Sequence, residues 1–182
     1  MYSKYLKRIL DFVLSLIGLT ILFPVLLIIA MAIKIDSKGP VLFKQKRIGL
    51  HKTHFYILKF RSMKMSTPHD MPTHELENAE EYITKTGRFL RRTSMDELPQ
   101  IINILLGHMS IVGPRPALWN QFDLIRQRDL YGANDIRPGL TGWAQINGRD
   151  AIGIADKARY DGEYVRRMSF LFDCRCILGT VS

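Results

Sequence analysis

Apolar and polar positions divide the chain into a long greasy N-terminal stretch and a mixed remainder. From Phe12 to Ile33 no charged residue interrupts the sequence. At about 1.5 Å of helical rise per residue, that run can cross a bilayer core of about 30 Å. It is long for the apolar region of a secretory signal, and Lys34, Asp36 and Lys38 follow it in place of a small-x-small cleavage pattern. The run is therefore read as a retained membrane element. Pro24 lies near its middle, lacks an N–H and disfavours helical backbone at Phe23, which predicts a kink or break there. Lys4, Lys7 and Arg8 precede the run, and Lys34, Lys38, Lys44, Lys46 and Arg47 follow it. Basic flanks on both sides suit a helix that enters, breaks and returns to the same face; the other reading is an ordinary proline-kinked span.

Beyond the apolar run, Val41 to Ile48 and His54 to Arg61 alternate across a turn at Gly49, which predicts a short β-hairpin. In its second arm Tyr56, Leu58 and Phe60 share one face and Ile57, Lys59 and Arg61 the other. Residues Ser62 to Asn78 carry no period and are expected to form a long mobile loop. Glu80 to Arg92 reads as helical, with Arg88, Arg91 and Arg92 at i, i+3 and i+4 on one face. Ser94-Met95-Asp96-Glu97 has the S-x-x-E form of a capping box before the apolar run Leu98 to Leu106, which Gly107 ends. Gly113-Pro114-Arg115-Pro116 predicts a rigid turn, followed by a helix from about Leu118 to Leu130. Further turns at Arg137-Pro138-Gly139 and Thr141-Gly142 precede a last helix from about Ala155 to Met168. The pattern predicts one compact, helix-dominated α+β unit.

The length of 182 residues is enough for one domain, and 47% hydrophobic against 24% charged residues excludes a disordered chain. A formal net charge of +9 draws the chain to anions, whether nucleic acid, acidic lipid or phosphorylated small molecules. No aromatic-rich base-stacking platform accompanies the charge, so nucleic acid is not the expected partner. Cys174 and Cys176 cannot build a disulfide framework and suit a reducing, cytosol-facing compartment. His51, His54, His69, His74 and His108 fall into no metal or catalytic pattern, and no H-E-x-x-H, G-x-S-x-G, Walker or dinucleotide glycine motif is present.

The strongest chemical feature is the pair Asp96-Glu97 directly after the arginine-bearing face. One reading is structural: Glu97 closes the capping box, Asp96 favours the positive end of the helix dipole, and the arginines are solvated. The other is catalytic. A helix N-terminus and nearby arginines attract phosphate, a divalent cation held by carboxylates neutralises it further, and a carboxylate can then attack phosphorus. Lys59, Arg91 and Arg115 are the candidates to screen that approach, Arg115 being fixed between two prolines.

Taken in order, several segments carry a family resemblance. They are Lys7-Arg8 with Asp11 before the proline-broken run, Leu58-Lys59-Phe60-Arg61-Ser62-Met63, Ser94-Met95-Asp96-Glu97-Leu98-Pro99-Gln100, Gly113-Pro114-Arg115-Pro116 and Arg137-Pro138-Gly139-Leu140-Thr141-Gly142-Trp143. Together they resemble the bacterial sugar transferases, monotopic polyprenyl-phosphate phosphoglycosyl transferases, over nearly the whole chain. The resemblance implies transfer of a sugar 1-phosphate from a UDP-sugar to undecaprenyl phosphate with release of UMP. This would be the first membrane step of capsule, exopolysaccharide or glycoprotein glycan assembly, with downstream glycosyltransferases as further partners.

Residue by residue, the resemblance implies Asp96 as the nucleophile that takes the phosphosugar covalently, Glu97 as its assistant and Mg²⁺ bound by both. Lys59, Arg91 and Arg115 would hold phosphate, while Arg137, Gln145 and Arg149 would touch nucleotide or sugar. It also implies a re-entrant N-terminal helix over residues 1–38 broken near Pro24, a catalytic region over 39–182 on the cytoplasmic face of the bacterial inner membrane, and contact with the lipid bilayer. His108 stands where relatives more often carry an acid, and relatives usually continue past Ser182, which implies a shortened C-terminus with weakened sugar recognition. The competing reading is a non-catalytic, basic, membrane-tethered anion-binding module.

Overall fold

The structure, a computed structural model, describes residues 2–67, 78–148 and 151–181. After one π-helical turn (Tyr2–Leu6), α1 (Lys7–Asp36) runs 30 residues with Pro24 in its interior. The helix continues through the proline: the ring removes one N–H donor, and the anticipated interruption takes that form, not two separate helices. Asp11, Ser15, Ile29 and Ile33 are buried along one stripe, while Ile9, Phe12, Leu16, Ile21, Phe23, Leu27, Ile28 and Met31 stay exposed on the others. An apolar surface of that extent is unfavourable in water and fits hydrocarbon.

Both ends of α1 hold on to the same globular body. At the start, the Lys7 ammonium pairs with Asp173 at 2.6 Å and the Arg8 guanidinium donates to the Ile104 and Leu105 carbonyls at 2.6 and 2.9 Å. At the far end, the Asp36 carboxylate accepts from the Thr86 N–H at 2.9 Å, and Ile29 and Ile33 pack with Phe60 and Leu90.

The hairpin forms as the alternation predicts. β1 (Leu42–Ile48) pairs antiparallel with β2 (His54–Phe60), from Leu42 opposite Phe60 to Ile48 opposite His54. Phe55 and Ile57 turn inward onto Ile104 and Met109. The expected loop from Ser62 to Asn78 falls largely outside the described residues; its first part is tied down by a bridge of Met63 to Ile83 and by Lys64 N–H donating to the Tyr82 carbonyl. The predicted helix over Glu80 to Arg92 is divided into α2 (Ala79–Tyr82) and α3 (Lys85–Arg92). Ile83 takes extended backbone between them, and the Thr84 hydroxyl caps α3 by accepting from the Gly87 N–H.

α4 (Gln100–Leu105) and α5 (Phe122–Asp129) follow within the ranges the periodicity marks, the one-turn α6 (Trp143–Ile146) forms where no helix was expected, and α7 (Ile154–Arg167) matches the last expected helix to within a residue. Three further elements were not predicted. β3 (Ser110–Val112) and β4 (Gly139–Thr141) pair in parallel, too short to show alternation. α8 (Phe170–Val181) carries an apolar sequence with a single acid in its first turn, Asp173. Gly113 and Gly139 allow the parallel pair to close: a Cβ on Gly139 would lie 2.0 Å from the Gly113 nitrogen. Around this pair Val112, Trp143, Tyr164, Phe172 and Cys176 form one core cluster, and the buried Tyr164 hydroxyl donates to Asp173 at 2.7 Å.

Candidate active site

The capping box does not form. Ser94 adopts left-handed backbone with φ 56°, its side chain caps nothing, and Met95–Glu97 makes a single 3₁₀ turn before α4. That turn frees the Glu97 side chain to point away from the helix end. Its Oε1 accepts from the Lys59 ammonium at 2.7 Å and from the Arg115 guanidinium at 2.9 Å. A carboxylate shared by two cations is an electrostatic arrangement, and the structural reading of Glu97 as a cap is overturned.

Each of the three side chains is delivered by a different part of the fold. Lys59 comes from β2, and the strand is held there by Asn103 of α4. The Asn103 side chain accepts from the Leu58 N–H at 2.9 Å and donates to the Tyr56 carbonyl at 2.8 Å, serving the strand edge as a neighbouring strand would. Arg115 follows β3. The turn carrying it is fixed by the Gly113 N–H donating to Thr141, the Gly139 N–H to Pro114, and Arg47 to the Pro116 carbonyl.

These residues line a cavity of about 520 Å³ together with Arg91, Asp96 and Gln145. Of the predicted trio only Arg91 reaches it among its lining residues; Arg88 lies 3.9 Å from Glu80 on the exposed side of α3, and Arg92 is exposed. Arg137 does not line the cavity. Its guanidinium donates to the Gly107 carbonyl at 2.9 Å, close enough to Arg8 for the two cations to repel. Arg149 lies outside the described residues, and Pro24 sits within α1. Arg47, Ser94, Gln121, Arg128 and Lys157 complete the polar wall, and none of them was expected at the site. Arg128 is buried against Asp161 at 2.7 Å, joining α5 to α7. Its place within an ordinary amphipathic helix gave no signal.

Burial and charge act differently on the two adjacent carboxylates. Burial works against charge on Glu97, but the ion pairs to Lys59 and Arg115 overcome it and hold its pKa at about 2. Burial raises the pKa of Asp96, the charge of Glu97 adds to the rise, and Lys59 and Arg91 oppose it. Lys59 is pushed below the ordinary lysine value by burial and by Arg115, against the pull of Glu97. One carboxylate is thus locked as a charged anchor, while its neighbour is kept basic, poorly hydrated and in no ion pair with the described residues. These are the properties of a nucleophile beside a positioning group.

The same pair bears on metal binding. Among the described residues no group of three or more His, Cys, Asp or Glu converges, which excludes a cage built from those side chains alone. Mg²⁺ does not require one, since it is held by one or two carboxylates with water and substrate phosphate completing the octahedron. The Asp96 carboxylate, in no ion pair among the described residues, fits that donor set next to Glu97.

Comparison with known proteins places the chain among relatives. The model of the family described as bacterial sugar transferase matches residues 2–182. A UDP-glucose:undecaprenyl-phosphate glucose-1-phosphate transferase of Escherichia coli is 42% identical over 98% of this chain and 40% of its own length. The exopolysaccharide production protein PSS of Rhizobium leguminosarum is 41% identical over 97% of this chain and 93% of its own. An uncharacterized sugar transferase, EpsL, of Bacillus subtilis is 39% identical over 97% and 85%. The chain thus spans about two fifths of the length of the first of these and most of the other two.

Proposed function

This chain belongs to the bacterial sugar transferase family, and from that premise we propose that it transfers a sugar 1-phosphate from a UDP-sugar to undecaprenyl phosphate. UMP leaves, and the product is a lipid-linked diphosphate sugar. The observation that carries this reading is the desolvated Asp96 carboxylate, in no ion pair among the described residues, beside the Lys59–Glu97–Arg115 ladder in a cation-lined cavity.

The reaction runs in two halves. A carboxylate oxygen of Asp96 attacks the phosphorus that bears the sugar, and the bond from that phosphorus to the bridging oxygen breaks, releasing UMP. A phosphate oxygen of the lipid then attacks the same phosphorus, which returns Asp96 as the free carboxylate. Lys59, Arg91 and Arg115 offset the charge that would otherwise repel an anionic nucleophile from a diphosphate, and Glu97 fixes two of those cations in place. Mg²⁺, when held by Asp96 and Glu97, would supply further charge neutralisation on the diphosphate. Gln145 lies in the same wall, where nucleotide or sugar would contact it.

The acceptor is a lipid, so the site belongs at the bilayer surface. Both ends of α1 are bonded to one body, which supports a helix that dips into the bilayer without crossing it, and the basic flanks favour the cytoplasmic face of the inner membrane for that body. The product is a substrate for membrane glycosyltransferases of capsule or exopolysaccharide assembly.

The test is mass spectrometry of protein quenched during turnover with Mg²⁺ and a panel of UDP-sugars. A phosphohexose adduct on the peptide containing Asp96 is expected. Turnover without such an adduct, with kinetics that demand both substrates bound together, would overturn the covalent route. No UMP release from any UDP-sugar would overturn the reading as a whole.

A further inference from the structure

The first full turn of α1 makes three separate attachments. Lys7 reaches Asp173 of α8, Arg8 reaches the last carbonyls of α4, and the Asp11 carboxylate accepts from the Ile111 N–H of β3 at 3.0 Å. Asp11 is only 4% exposed, an acid turned inward directly before the uncharged run of the helix. Its partner is informative. In the parallel pair β4 serves Ser110 and Val112, so the Ile111 N–H points to the opposite edge, where it would be an orphan without Asp11.

The two elements that Arg8 and Asp11 touch flank the segments that deliver Asp96, Glu97 and Arg115 to the site. α4 begins just after the turn bearing Asp96 and Glu97, and β3 ends just before Arg115. Glu97 and Arg115 meet at 2.9 Å across the gap between those elements. Gly18 continues the contact one stretch further along α1, where an added Cβ would lie 2.8 Å from Ile101 of α4.

We propose that Asp11, acting with Arg8, is a positioning residue: the membrane helix fixes the spacing of α4 and β3, and through it the meeting of Arg115 with Glu97. The inference rests on the transferase reading above for its catalytic consequence, but its structural half is independent of any activity. What the site needs from position 11 is a hydrogen-bond acceptor, not a charge. Asn supplies that oxygen in the same place; Leu fills similar volume and leaves the Ile111 N–H unpaired in an apolar setting.

The experiment uses the full chain in lipid nanodiscs as wild type, Asp11→Asn and Asp11→Leu. Hydrogen exchange at Ile111 and over residues 110–117 is read first, then kcat and KM for UMP release. Protection is expected in wild type and Asp11→Asn. In Asp11→Leu we expect faster exchange and a kcat loss of about 10- to 100-fold with KM for the UDP-sugar changed less than threefold, because the binding wall stays while the cation near the reacting phosphorus shifts. Asp11→Asn should recover most of the kcat. The proposal fails if the Ile111 amide exchanges freely in the wild type, if folded Asp11→Leu keeps its kcat, or if Asp11→Asn is as impaired as Asp11→Leu. Should Asp11→Leu not fold, the exchange of Ile111 in wild type and Asp11→Asn still decides it. A wild type that is protected at Ile111 yet releases no UMP would instead count against the transferase reading alone.

Discussion

Lys59 and Glu97 are joined at 2.7 Å across 38 residues of sequence, and that single ion pair fastens the β-hairpin to the turn bearing the proposed nucleophile. Both side chains are mostly buried, at 17% and 20% exposure, so removing Lys59 leaves Glu97 with one of its two cations and removing Glu97 leaves two cations facing each other without their shared carboxylate. Lys59→Met is expected to lower stability by about 1–3 kcal/mol, less than a fully buried pair because Arg115 still serves Glu97. Thermal unfolding in detergent measures this, and UMP release should fall at least tenfold in the same variant.

Asp96→Asn removes the nucleophile while keeping its shape. UMP release should drop by about a thousandfold or more, as for the loss of other covalent nucleophiles, with a melting temperature equal to or above that of the wild type, since burial disfavours the charged carboxylate. Residual turnover near the wild-type rate would remove Asp96 from the role.

Acidity separates the two carboxylates. Glu97 has a folded pKa of about 2 against an ordinary 4.5, so its contribution to stability is complete above about pH 4.5 and is lost as pH falls toward 2. Melting temperature followed over that window should decline in the wild type and be flatter in Glu97→Gln. Asp96 shifts the other way. It must be ionised to attack, and burial raises its pKa, so kcat/KM should begin to fall on acidification at a higher pH than an unperturbed aspartate would give.

The Arg128–Asp161 pair is buried at 6% and 1% side-chain exposure. Asp161→Asn strands the guanidinium and is expected to cost about 3–5 kcal/mol, whereas replacing both residues with leucine should recover much of that loss. Denaturant unfolding of the single and double variants provides the comparison. Because Arg128 also lines the cavity, the double variant should bind UDP-sugar more weakly even where its stability returns.

Chelation addresses the metal. EDTA should abolish UMP release and Mg²⁺ should restore it, while Ca²⁺, which prefers a larger and looser oxygen shell, should restore it poorly. Release unaffected by chelation would exclude the divalent cation.

What the sequence disclosed follows from the range of the forces involved. The apolar run of α1 and the alternation of β1 and β2 are local patterns, and they appear where the periodicity places them. Charge and chemistry alone marked Asp96, Glu97, Lys59, Arg91 and Arg115 as candidates, but no local rule joins a strand, a turn and a proline-flanked arginine; the family resemblance strengthened their assignment and added Gln145. The capping box at Ser94 failed because two distant cations outcompete one backbone N–H for Glu97. Asn103 left no signal, as its bracket on β2 spans 45 and 47 residues. Arg137 lies in a turn like that of Arg115, and only tertiary structure turns it to Gly107.

The attachments of Lys7 also bear on how the chain is made. Its partner Asp173 lies 166 residues downstream, and Tyr2 waits 171 residues for the same carboxylate. On the ribosome the start of the apolar helix therefore emerges long before the α8 surface that holds it. Lipid must shelter it first, and the catalytic body then assembles onto a helix already embedded, so a cell-free synthesis without bilayers should yield aggregate instead of enzyme.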